Sequence, residues 1–341
     1  MLIKNILILY NRPAPHIFAK TGYAESDSGV LNEVSAVAEA LKKLGLKFHI
    51  ASVKTLADVA TKLKERKESI VFNLVERLDG SIADYNFVPA LCNAMGKACT
   101  GSSSESLFIT HDKLITKYKL LSYGISVPQS LLIPPFFTAN PKYPSFPPPY
   151  IIKPVATDGS EGIFTTSVLY KKDKQIFKIA SAIHRKYKQP ALLEKFIEGR
   201  EFNVSVFQDG NKVIVLPVSE IDFSLFPVNR PHVVDYEIKW KPGTIPGVVS
   251  PRKIPASLNK NTEEKIKKIA LKAWNVCKCN DYARIDMRMD KSGKIYILEI
   301  NTNPDISPMA GFPAALKAAG IPFARIINTI LSNAIARLNK F

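Results

Sequence analysis

The sequence has little of what would tie it to a disulfide scaffold, a zinc site or a membrane. Only four of its 341 residues are cysteine: Cys92, Cys99, Cys277 and Cys279. Cys277-Lys278-Cys279 has no second pair at zinc-ligand spacing. Four thiols in a chain this long point to a reducing cytoplasm rather than a disulfide framework. Long apolar runs are absent, and stretches such as Ile70 to Val75 are too short to cross a bilayer. The N-terminal stretch Met1 to Tyr10 lacks the long apolar core and Ala-x-Ala site of a signal peptide and fits a first buried strand. Acidic charge is short as well: 30 Asp and Glu stand against 47 Lys and Arg, a net charge of +17. The lysines are spread along helical patterns, as from Lys62 to Lys67 and Lys260 to Lys272. No zinc-finger pattern occurs and no basic region feeds heptads. The excess therefore reads as a solvated surface, part of it serving an anionic nucleotide, rather than as a nucleic-acid interface. No Gly-x-Gly-x-x-Gly follows the first strand and no Gly-Lys-Ser/Thr follows any glycine loop, so neither a classical dinucleotide site nor a Walker loop is supported.

What is present is a large apolar complement, 46% of residues, enough for a sizeable core and two or three subdomains. Residues 4–10, 46–52 and 70–75 read as short buried strands separated by helical patterns near 29–44 and 55–67. Leu31, Val34, Val37, Ala38 and Leu41 fall on one helical face. Strand–helix alternation predicts a parallel α/β sheet with right-handed crossovers. This unit closes near Thr100-Gly101-Ser102-Ser103. A helix from about 111 to 123 follows, then a loop from Ile133 to Tyr150 with seven of the chain's 24 prolines. Beyond it lie strands near 150–154, 191–196, 201–207 and 212–219, a helix near 173–187, an irregular stretch 222–254, and helices at 261–278 and 323–338.

The most informative segment is Ala283 to Pro304. It reads as two strands around the turn Lys291-Ser292-Gly293-Lys294. Ile285, Met287 and Met289 share one face of the first strand, and Tyr296, Leu298 and Ile300 one face of the second. Glu299 and Asn301, two apart, point the same way, and antiparallel pairing brings Asp286 beside them. Two carboxylates and an amide oxygen make a hard-oxygen site suited to Mg²⁺ rather than zinc. Mg²⁺ held by few protein ligands completes its shell with water and phosphate oxygens, so phosphoryl chemistry on a nucleotide is expected.

Other motifs are individually modest. Lys153 ends a strand before Thr157-Asp158-Gly159-Ser160-Glu161-Gly162-Ile163, where glycines let backbone N–H groups approach phosphate and Ser160 adds a donor; an ordinary hairpin turn is the alternative. Lys113, or Lys117 one turn later, could reach a phosphate from its helix. Main-chain groups of the hinge Glu194 to Glu201 could meet an adenine edge, and Glu201 ribose hydroxyls; a charged surface turn is the alternative. Asp235-Tyr236-Glu237-Ile238-Lys239-Trp240 sits in Pro- and Gly-rich sequence like a lid, from which Lys239 could reach a phosphate.

In this order the motifs resemble the ATP-grasp superfamily, and within it the D-alanine–D-alanine ligase family. The matching pieces are His111-Asp112-Lys113, Ile152-Lys153-Pro154, Gly159-Ser160-Glu161-Gly162, Glu194 to Glu201, Asp235 to Lys239, Ala283-Arg284-Ile285-Asp286 and Leu298 to Pro304. The resemblance implies an α/β chain: an N-terminal Rossmann-like (pre-ATP-grasp) domain, 1–104, then a two-subdomain α+β ATP-grasp fold, 105–190 and 191–341. It implies that Lys113 and Lys153 contact ATP phosphates, with Gly159 and Ser160 in the loop over them. Glu194, Lys195 and Phe196 would meet the adenine, Glu201 the ribose and Lys239 the γ-phosphate. Asp286, Glu299 and Asn301 would hold two Mg²⁺ ions, or Mn²⁺ in their place. Arg284 would stabilise an acyl phosphate and the tetrahedral oxyanion. Glu33, within Asn32-Glu33-Val34-Ser35, matches the acidic residue that approaches the first amino acid's ammonium. The implied partners are ATP and small amino acids, with a homodimer as the assembly and no membrane. The implied reaction is amide formation through an acyl phosphate, in peptidoglycan precursor synthesis.

The chain departs from the family where amino acids bind. Gly159 stands where the family has a serine, with Ser160 one residue away as its substitute, and Trp240 where it has a tyrosine; indole only donates. Asp305 replaces a glycine. The serine that takes the second carboxylate would fall near Ala310 or Gly311, with Ser307 the nearest hydroxyl. Glu76-Arg77 replaces a histidine-glycine pair. Strict D-alanine ligation therefore competes with ligation of another amino acid, peptide or protein tail. A non-catalytic nucleotide-binding module is the reading from a different class.

Overall fold

The computed structural model describes residues 5–13, 24–81, 83–135, 143–241, 243 and 252–338. The first sheet is built from β1 (Asn5–Asn11), β2 (Lys47–Val53), β3 (Ile70–Leu74) and β4 (Ala98–Cys99), in the order β2-β1-β3-β4 with every pair parallel. Its crossovers carry α1 (Ala24–Lys43), α2 (Leu56–Glu65) and α3 (Val88–Ala94). A parallel strand covered on both faces must be apolar throughout, and Ile6, Leu7, Ile8 and Leu9 are all fully buried. Ile6 and Ile8 pack with α1, while Leu7 and Leu9 pack with α2 and α3.

Two helices, α4 (Ser104–His111) and α5 (Lys113–Ser122), lead into the second sheet. Asp112 separates them, its side chain accepting from Leu114 and Ile115 N–H and so capping α5. The second sheet runs β5-β8-β6-β7, all antiparallel, from β5 (Ser130–Ile133), β6 (Tyr150–Pro154), β7 (Val168–Leu169) and β8 (Ala191–Lys195), with α6 (Gln175–Tyr187) against it. The third sheet contains β9 (Gly199–Asp209), β10 (Lys212–Val215), β11 (Ser219–Ile221), β12 (Arg252–Lys253), β13 (Tyr282–Asp290) and β14 (Ile295–Asn301). Its path is β12-β11-β9-β13-β14, with β10 on β9. The helix α7 (Tyr236–Trp240) precedes β12, α8 (Lys260–Val276) backs the sheet, and α9 (Gly311–Ala318) and α10 (Phe323–Leu338) close the chain. Ile326, Ile327, Ile330 and Leu331 of α10 share a core with α1 and β1. The last helix thus covers the first sheet. No single helix among the described residues is long and apolar enough to cross a membrane.

Several expectations need correction. Leu31 is 46% exposed, and Val30 takes its place on the buried face of α1. The helix expected over 111–123 forms as α5, capped by Asp112, while α4 before it, α3 and α9 were not anticipated. The strand expected over 212–219 is interrupted between β10 and β11. Within the irregular stretch, 242 and 244–251 lie outside the described residues. The hairpin forms as expected, but Tyr296, Leu298 and Ile300 do not share its buried face. Asp286 pairs with Glu299 while Met287 pairs with Ile297, so Leu298 is an extra, bulged residue. A bulge reverses the alternation, and the core takes Ile295, Ile297 and Ile300 instead.

Candidate active site

The hairpin β13–β14 carries the densest chemistry. Arg284 pairs in register with Asn301, and Asp286 with Glu299, which puts all four side chains on one sheet face. Asp286 is not free there. Arg284 donates to both of its oxygens at 2.8 and 2.7 Å, and Asn203 of β9 donates to Oδ1 at 2.7 Å. Burial opposes the Arg284 charge, but Asp286 outweighs it and raises the Arg284 pKa. Burial would likewise raise the Glu299 pKa. Lys113, Lys153, Arg284 and Lys239 outweigh it and hold Glu299 at about 2. Asn301 Oδ1 accepts from Asn303 N–H at 2.9 Å. An ionised Glu299, a second carboxylate opposite it and an amide oxygen beside it form a donor set that fits a hard divalent cation.

A cavity of about 480 Å³ opens over this face. Lys153, Ser160, Glu194, Lys195, Phe196, Glu201, Lys239, Arg284, Asp286 and Glu299 all line it. Leu298 lines it too, turned inward by the bulge. Glu194 is 1% exposed and lies between two lysines, 3.0 Å from Lys117 Nζ and 3.1 Å from Lys153 Nζ. Against the cost of burial, these two cations lower the Glu194 pKa, while burial brings Lys117 down to about 8. Lys117 is thus a buried partner of Glu194 rather than a second phosphate lysine, and it also donates to Leu298 O at 3.3 Å. Lys113 Nζ donates to Thr157 O and lies 3.7 Å from Glu299. Lys195 turns its ammonium outward to the carbonyls of Pro147 and Pro148, and Phe196 N–H is taken by Pro149 O at 2.9 Å. Phe196 and Ile197 line the cavity from the hinge. The Arg288 guanidinium sits 4.6 Å from that ring and is paired with Glu201 at 2.6 Å. Burial raises the Glu201 pKa against that pairing.

The glycine loop meets α7. Gly162 (φ +80) approaches Pro154 so closely that a Cβ would fall 2.5 Å from its ring, so only glycine fits there. Ser160, also left-handed at φ 63, donates its hydroxyl to Val234 O at 2.8 Å. The oxygen of that hydroxyl keeps its capacity to accept. Lys239 stands on the cavity wall, where burial and then Arg284 lower its pKa.

A second cavity, about 320 Å³, lies on the far side of Trp240. Glu76, Asp158, Gly159, Lys239, Trp240, Arg284, Asn301 and Asp305 line it. Glu76 keeps solvent contact through the cavity, yet surrounding protein, then Asp305 and Asp158, push its pKa up to about 8. Glu33, 3% exposed on α1, accepts from Ile306 N–H at 3.1 Å and is raised by burial, Glu76 and Asp305. It is a buried carboxylate, not a solvated helix residue.

Arg288, Asn203 and Arg252 were missed in the sequence. Arg288 follows Asp286 by two on β13, so strand alternation could have found it. Asn203 meets Asp286 only through the β9–β13 register. Arg252 carries no local signal at all.

Residues 142–332 match the family model described as D-ala D-ala ligase C-terminus. The chain is 30% identical over 303 residues to the D-alanine–D-alanine ligase of Thermotoga maritima, spanning 88% of this chain and 91% of that protein. It is 29% identical over 329 residues to the D-alanine–D-alanine ligase of Rhizorhabdus wittichii, 94% and 97% of the two chains. The crystal structure of the Bacillus anthracis D-alanine–D-alanine ligase complexed with ATP superposes with a TM-score of 0.74 over 99% of both chains at 19% identity, a match of fold. The chain belongs to the D-alanine–D-alanine ligase family, as an ATP-dependent ligase of the ATP-grasp fold.

Proposed function

We propose that this ligase joins two D-alanine molecules, forming D-alanyl-D-alanine with conversion of ATP to ADP and phosphate. The observation that carries the reading is the face shared by Arg284, Asp286, Glu299 and Asn301, set beneath a cavity lined by Lys153 and Phe196. In this reading Phe196, Glu194 and the hinge flank the adenine, Glu201 accepts from ribose, and Lys113, Lys153 and Lys239 hold the phosphates. Gly159 and Ser160 shape the loop above them. Asp286, Glu299 and Asn301 hold Mg²⁺, or Mn²⁺, which would neutralise phosphate charge as the phosphoryl group transfers. A donor carboxylate takes the γ-phosphoryl group, and the acceptor amine then displaces phosphate. Arg284 and Lys239 stabilise the anionic charge that develops in both steps. Glu33 faces the donor ammonium. We take 1–104, 105–190 and 191–341 as the working units, with β8 and α10 crossing between them. A cytoplasmic homodimer in peptidoglycan precursor synthesis completes the reading.

Trp240, Asp305 and Ala310 favour a second reading, a ligase of the same chemistry for another amino acid, a peptide or a protein tail. ADP release by the purified protein with Mg-ATP separates the two. D-alanine-dependent ADP with a dipeptide product supports the first. Turnover only with another amino acid or amine sinks it and keeps the chemistry.

A further inference from the structure

The Trp240 indole lies in a slot formed by two glycines from distant parts of the chain. A Cβ on Gly29 of α1 would lie 3.5 Å from the indole Cζ3, and a Cβ on Gly159 would lie 3.4 Å from Cζ2. The indole Nε1–H donates to Gly159 O at 2.7 Å. Lys239, the preceding residue, places its ammonium 5.5 Å from the same ring. One side chain therefore joins α7, the glycine loop and α1, on the wall shared by the two cavities. A side chain larger than methyl at position 29 would push into the ring. At position 159 (φ +64) any L residue would also be strained.

We propose that Trp240 is a positioning residue that latches the glycine loop and α7 together and so keeps water from the activated carboxyl group. The latch rests on the acyl-phosphate reading above. Its failure has a defined chemistry: water adds to the acyl carbon, the C–O bond to phosphate breaks, and carboxylate and inorganic phosphate leave. ATP is then consumed without amide. Nothing in the latch requires a hydroxyl at position 159, because the acceptor is a backbone carbonyl and the donor is the indole.

The test compares the full-length protein with Trp240→Phe, which removes the donor but keeps an aromatic ring, and with Gly29→Val, which crowds the slot from outside the site. Two quantities are read. One is amide formed per ADP. The other is hydrogen exchange of 157–163 and 236–241 with a β,γ-imido ATP analogue bound. The latch predicts that both variants lose amide per ADP several-fold and exchange faster in those two segments, with exchange elsewhere unchanged. Wild-type ratios and wild-type exchange in both variants would overturn it. If the wild-type protein forms no amide with any amino acid, the substrate reading falls. Exchange then decides the latch alone, faster exchange supporting it and unchanged exchange overturning it.

Discussion

Arg284 and Asp286, two residues apart on β13, grip each other through hydrogen bonds of 2.8 and 2.7 Å. The guanidinium occupies the carboxylate oxygens that a divalent cation would use. Arg284→Gln removes this competitor, so Mn²⁺ titrated without nucleotide should bind more tightly to the variant than to the wild type. Turnover should move the other way, with kcat falling by about 10²–10³-fold, the usual consequence of losing one transition-state donor. Unchanged metal affinity would show that the pair does not guard the site.

Glu299 is held near 2 by four surrounding cations. Glu299→Gln removes the charge with little change of shape. It should abolish metal-dependent ADP formation while the protein still unfolds cooperatively. A variant that turns over at more than a few per cent of the wild-type rate would contradict the metal role.

Much of this hairpin was legible because its chemistry repeats every second residue, from Arg284 to Asp286 and from Glu299 to Asn301. The bulge at Leu298 was not, because an extra residue shows only against the partner strand. The same limit hid Asn203, which faces Asp286 across a pairing 83 residues long in sequence. The burial of Glu33 was equally hidden, since Ile306 and Asp305 reach it from the other end of the chain. Trp240 read as a loss of the family's hydroxyl, and only the glycine carbonyl opposite it gives the substitution a purpose.

The surrounding protein, then Asp305 and Asp158, push the Glu76 pKa up to about 8 from an ordinary 4.5, although the residue is exposed to solvent. Its folded-state pKa lies above its unfolded value. Between these two values the folded state binds the extra proton, so its contribution to stability is present below pH 4.5 and lost as pH rises towards 8. Glu76→Gln removes that dependence. The Tm of the variant relative to wild type should therefore climb across this window and level off above it. A constant difference would mean that Glu76 titrates normally.

Glu194 is the only carboxylate paired with Lys117 and Lys153 among the described residues. Glu194→Gln leaves two lysines facing each other in a buried setting. Breaking a buried pair in this way typically costs about 3–5 kcal/mol, so urea unfolding at neutral pH should show a loss of that order. Lys117→Met in the Glu194→Gln background should recover part of it, because one uncompensated charge is gone. Recovery also separates the packing role from any contact with nucleotide, since Lys117 lies beneath Glu194 and is 1% exposed.

Asp281 ties the last helix to the first sheet. Fully buried, it accepts from Gly101 N–H at 2.7 Å and from Arg337 of α10 at 2.6 and 2.8 Å. Arg337 in turn donates to Cys99 O and Gly101 O, so one carboxylate orders the end of β4, the turn after it and the end of α10. Asp281→Asn keeps the shape but leaves the guanidinium without its counter-charge, at a cost of about 3–5 kcal/mol for a buried pair. Arg337 is 30% exposed on its side chain, and solvent screening should bring the loss towards the lower end. Hydrogen exchange should quicken in 323–338 and at 99–101 well before β13 and β14 respond. Uniform acceleration across all three sheets would instead mean that α10 unfolds only with the whole chain.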